Sequence, residues 1–83
     1  MAEYLLQYKW PWVHSNPHDE YSAHLKGEPW APEVCWDTAT ERFCALNNAE
    51  ARQITTGFLG ENPVELDGQK YFREEVKLWR AVP

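Results

Sequence analysis

Eighty-three residues leave room for one domain and little more. A chain this short buries roughly 60% of its extended surface, and five tryptophans, four tyrosines and three phenylalanines must supply much of its apolar area. The net charge of −5 argues against a partner held through phosphates, which needs a basic surface.

The excess acid is placed unevenly. Residues 1–41 hold seven acids (Glu3, Asp19, Glu20, Glu28, Glu33, Asp37, Glu41) against Lys9 and Lys26, whereas residues 42–83 hold six of each sign. That asymmetry points to a basic protein partner; solubility alone would also account for it. No stretch approaches the ~20 apolar residues that span a bilayer. The opening Met1-Ala2-Glu3-Tyr4 shows no basic segment leading into an apolar one, and no lipidation motif closes the chain. The expected compartment is the cytoplasm, with no membrane partner.

Residues 3–10 alternate, with Tyr4, Leu6, Tyr8 and Trp10 on one side and Leu5, Gln7 and Lys9 on the other. This period of two predicts a strand that Pro11 ends or confines to an edge. A short helix is expected over 17–26. Asn16 would cap it, Pro17 suits its first position, and Asp19 and Glu20 suit the positive end of its dipole. Tyr21 and Leu25 share a face, and Lys26-Gly27 forms a stop. The prolines of Glu28-Pro29-Trp30-Ala31-Pro32-Glu33 exclude regular structure there.

Residues 34–46 are read as a hairpin with Ala39 and Thr40 at its tip. That register pairs Asp37 with Arg42, Trp36 with Phe43 and Cys35 with Cys44. Ala-Thr is a poor tight turn, and a longer loop in the same register suits it better. Residues 48–59 form the clearest helix. Asn47 and Glu50 make a capping box, and Ala51, Ile54, Thr55, Phe58 and Leu59 form an inward stripe. Gly60 is the expected C′ residue, and Asn62-Pro63 stops the helix. Asp67-Gly68 predicts a hairpin over 64–71, with Glu65 opposite Lys70 and Val64 opposite Tyr71. The tail fits helix and strand alike; a strand over 76–82 is favoured, paired with strand 3–10. The fold class is α+β: a small antiparallel sheet of about four to five strands, helix 48–59 on one face, and a short helix near 17–26.

The candidate chemistry is thin. His14, His18 and His24 with Asp19 and Cys35 offer metal-ligand types, but Pro17 interrupts the first pair and a six-residue spacing separates the second. Solvated histidines are the simpler reading, and neither a metal nor another cofactor is expected. Cys35 and Cys44 are too far apart in sequence for a zinc knuckle or redox motif. They are read as buried thiols or, in the hairpin register, as a cross-strand disulfide. No serine sits in a strained elbow beside a histidine. The adjacent acids Asp19-Glu20 and Glu74-Glu75 do not converge on one site. Gly57 and Gly60 form no phosphate-binding loop, so no enzyme is expected.

The aromatics carry the leading reading. Trp10-Pro11-Trp12 and Pro29-Trp30-Ala31-Pro32 fall at breaks in regular structure, and tryptophan is enriched at binding hot spots. Trp12 and Trp30 ringed by Asp19, Glu20, Glu28 and Glu33 would form an apolar centre with an acidic rim. The alternative is that these loops fold over and cap the core. The expected function is a non-catalytic protein-binding module, an inhibitor or regulator that occupies a basic surface of a larger partner, such as a nucleic-acid-binding complex. Phage-encoded inhibitors of host defence, including anti-CRISPR proteins, are small acidic single domains of this class; the comparison is one of class. Two alternatives are a small-molecule or metal-binding domain built on His14, His18 and His24, and a weak nucleic-acid-binding strand carrying Lys70, Arg73, Lys77 and Arg80 beside Tyr71 and Trp79. An exposed edge at strand 3–10 or at the C-terminal strand would permit a dimer by sheet extension.

Overall fold

The computed structural model describes residues 1–14, 17–27, 33–66 and 68–81, with the side chains of Pro17 and Asp19 left out. In chain order the elements are β1 (Ala2–His14), α1 (Pro17–Lys26), β2 (Glu33–Ala45), α2 (Asn48–Leu59), β3 (Val64–Leu66), β4 (Gln69–Tyr71) and β5 (Glu74–Arg80). The class is α+β, but the strands divide into two sheets. β1 lies between β2 and β5 in an antiparallel three-stranded sheet, and β3–β4 is a separate hairpin.

β1 does not stop at Pro11. It pairs with β2 from Ala2↔Ala45 to His14↔Glu33 without a break in register. β5 pairs with β1 only as far as Lys9 and carries an irregularity between Gln7 and Tyr8. Pro11 therefore sits where β1 has β2 on one side and no third strand on the other, so its missing N–H leaves no ladder incomplete. The sequence rule on proline named the right restriction and the wrong end point.

The expected 34–46 hairpin is one straight strand. Its residues find partners on β1 instead: Trp36 faces Pro11, Asp37 faces Trp10, Arg42 faces Leu5 and Phe43 faces Tyr4. A period of two is shared by a hairpin and a long strand, and the poor turn at Ala39-Thr40 decides for the strand. Cys35 and Cys44 consequently lie nine positions apart on one strand, about 30 Å, and both are thiols. The cross-strand disulfide is ruled out by that geometry, and Cys44 is exposed rather than buried.

The core sits on one face of the sheet under α2. Tyr4, Leu6 and Tyr8 are buried there with Ala45 of β2 and Ala51 and Thr55 of α2. Ala2, Phe43 and Leu78 pack around them. Two contacts fix the course of α2 along β1. Near its start the Tyr4 hydroxyl donates to Asn48 Oδ1 at 2.8 Å; near its end the Phe58 ring meets Tyr8 edge-on at 4.9 Å. Asn47 caps the helix through Oδ1, which accepts from the Glu50 N–H at 2.9 Å. Gly60 is right-handed (φ −85°), so the expected left-handed C′ is absent; the positive φ falls at Asn62. Ile54, expected inward, is 39% exposed.

The 64–71 hairpin has the expected register, Val64↔Tyr71 and Glu65↔Lys70, and Gly68 takes φ +77°. The tail is a strand antiparallel to β1, beginning at Glu74. Val82 lies outside the described residues.

Candidate site at the distal end of the β1–β2 ribbon

Past Lys9 and Thr38 the three-stranded sheet narrows to a two-stranded ribbon, because β5 has ended. The chain leaves the ribbon at His14, passes through α1 and returns at Glu33, which is directly opposite His14. α1 is thus an insertion in the β1–β2 connection, and the ribbon segments 10–14 and 33–37 that flank it stand past the end of β5 pairing. The acidic excess falls in the same stretch of sequence: residues 10–37 hold Asp19, Glu20, Glu28, Glu33 and Asp37 against Lys26 alone.

Alternation sets which side chains share a face. Trp10, Trp12 and His14 lie on one face with Asp37, Cys35 and Glu33; Pro11 and Val13 lie on the other with Trp36 and Val34. Trp10, Val13 and Trp36 are each a little over one-third exposed. The Trp36 ring also meets Tyr71 of β4 edge-on at 6.4 Å, so the hairpin steadies one side of the ribbon. Trp12 packs against His14 at 5.9 Å, also edge-on. Its indole Nε1 is buried without a hydrogen-bond partner among the described residues. On α1, Gly27 takes φ +70° and its N–H bonds the His24 carbonyl at 3.1 Å, as the Lys26-Gly27 stop requires. Tyr21 and Leu25 share a face as expected, but that face is open: they are 63% and 67% exposed.

Four of the six sequence-predicted partner-binding residues fall on the ribbon or on α1. Trp12 is half-buried on β1, Glu20 is exposed on α1, and Glu33 is exposed at the start of β2. Asp19 is on α1. Glu28, Trp30 and the Asn16 cap lie outside the described residues. Trp36 and Val13 were not foreseen as surface residues. By register they lie on the sheet face opposite the one α2 covers, a long-range fact that no local pattern carries.

The competing constellations disperse. Among the described residues no group of three His, Cys, Asp or Glu side chains gathers to hold a metal ion. The Lys70–Arg80 basic residues do not share a surface. Arg73 lies over the Phe58 ring at 4.4 Å and donates to the Phe58 carbonyl at 3.1 Å, inside the fold. Lys70 faces Glu65, and Lys77 lies over Trp79 at 5.1 Å. Arg80 is opposite Tyr4, on the alternate face from Lys77. No described helix is long and apolar enough to cross a membrane. Comparison with protein-family models, with curated proteins and with solved structures gave no match.

Proposed function

We propose that this protein is a non-catalytic binding module that docks on a larger, basic protein through the distal end of its β1–β2 ribbon. One observation carries the reading: Trp10 and Trp36, each a little over one-third exposed on opposite faces of the ribbon, and the open Tyr21–Leu25 face of α1 fall in the stretch of chain that holds the acidic excess. Aromatic anchors inside a charged rim are the usual composition of a docking patch. Acidic side chains steer such a surface toward basic partners and accelerate encounter. A nucleic-acid-binding groove is a natural target, with Asp19, Glu20, Glu28 and Glu33 in the place of phosphates. By class analogy this is the manner of a phage inhibitor of a host defence complex.

The test pairs two variants with the unchanged protein in affinity capture from candidate host lysates. The first reverses charge at Asp19, Glu20, Glu28 and Glu33 to lysine; the second is Trp12→Ala. A basic protein recovered in stoichiometric amount by the native chain should be lost by the first and weakened by the second, with unchanged circular dichroism. Capture of the same partner by the charge-reversed variant would remove the mimicry argument.

A further inference from the structure

We infer that the crevice between α2 and β2 binds a small neutral ring compound bearing one hydrogen-bonding group, a molecule of the size and polarity of phenol. The site shares no residue with the proposed docking surface and stands without that reading.

Alternation and helical spacing build its walls. Leu6 pairs with Glu41 and Tyr4 with Phe43, so Leu6, Glu41 and Phe43 stand on the sheet face that α2 covers. Ile54 and Phe58, four apart on α2, form the other side. With Thr55 and Arg42 they line a crevice of about 180 Å³. Ile54 is 39% exposed, so the space is open to solvent. An engineered protein cavity of about 150 Å³ lined by Leu, Ile and Phe takes up benzene. A single six-membered ring is the occupant this volume suits.

Thr55 assigns the ring its polar group. It is 2% exposed, and its hydroxyl has no hydrogen-bond partner among the described residues. A helical threonine can turn its hydroxyl back to the carbonyl four residues earlier, here Ala51, but that bond is not made. A buried hydroxyl left unpaired costs stability, and the open space that Thr55 borders is this crevice. A hydroxyl both donates and accepts, so a ligand hydroxyl completes the bond in either sense.

Charge decides against an ion. The two charged residues at the crevice already have partners: Glu41 accepts from the Tyr8 hydroxyl at 3.4 Å, and Arg42 pairs with Glu3 at 3.1 Å. The walls Leu6, Phe43, Ile54 and Phe58 would strip water from a charged ligand and give no hydrogen bond in return. A neutral ring instead gains by leaving water.

The test is a ¹H–¹⁵N NMR titration of the full chain with phenol and with benzene, which share a ring and differ by one hydroxyl. Both should give saturable shifts centred on the amides of Leu6, Phe43, Ile54, Thr55 and Phe58. Thr55→Val keeps the shape of the side chain and removes its hydroxyl. The ratio of phenol affinity to benzene affinity should fall about fivefold in that variant, the worth of one neutral hydrogen bond. Thr55→Ser, which retains a hydroxyl, should keep the native ratio. Absence of saturable shifts at those amides with both compounds overturns the proposal, as does a ratio that is the same in the native protein and in folded Thr55→Val.

Discussion

Leu6 is 1% exposed and sits where β1, β2 and α2 meet. With so few buried side chains beneath α2, each one matters in proportion. Leu6→Ala is expected to cost about 2–5 kcal/mol, a large part of the stability a domain of this size has. Urea unfolding followed by tryptophan fluorescence would show the midpoint fall with little change in slope. Tyr8 makes a pH prediction. Burial, reinforced by the neighbouring Glu41 carboxylate, raises its phenol above the usual value near 10, against an opposing pull from Arg73. A group whose folded pKa exceeds its unfolded value stabilises fully below the unfolded pKa and loses that contribution as pH rises through the folded one. Stability should therefore fall above about pH 10, and Tyr8→Phe should flatten that alkaline limb in thermal melts.

At the scale of elements, what was legible in the sequence was what is decided locally. α2 announces itself through Asn47, Glu50 and its apolar spacing, and the β3–β4 turn through Asp67-Gly68. Asn47→Ala should cost about 1 kcal/mol by removing the Glu50 N–H acceptor. Gly68→Ala should destabilise through its positive φ, although open space surrounds the position; chemical denaturation measures both. β2 was misread because alternation cannot tell a strand that pairs with its own continuation from one that pairs with a strand 18 residues back across α1. Ile54 was misread because its exposure depends on how α2 seats on the sheet, which helical spacing alone does not set. The proposed docking end was half legible. Trp12, Glu20 and Glu33 were named from composition, but Trp36 became a surface residue only once its register with Pro11 put it on the face away from α2.

The whole molecule is long. Its Cα radius of gyration is 17.9 Å, within extents of 58 × 24 × 13 Å; a compact chain of this length would have about 12 Å. X-ray scattering should return an elongated particle rather than a sphere. The length comes from the ribbon, and this permits a clean excision. His14 and Glu33 face each other, so replacing residues 15–32 by Asn-Gly closes β1 and β2 with a two-residue turn. The shortened protein should keep the cooperative unfolding of the α2 body and lose the proposed basic partner. Persistent binding would move the docking surface off this end.

The separation of core from ribbon also bears on how such a chain can change over generations. Tyr4, Leu6, Tyr8, Ala45, Ala51 and Thr55 are gathered under α2, while Trp10, Val13, Tyr21, Leu25 and Trp36 contribute little to that packing. Substitutions at the second set should carry little folding penalty, so under the proposed docking reading the binding surface is free to change without the core. A saturation library over residues 10–36, sorted first for folding and then for binding, should show broad tolerance in the first sort and narrow tolerance in the second.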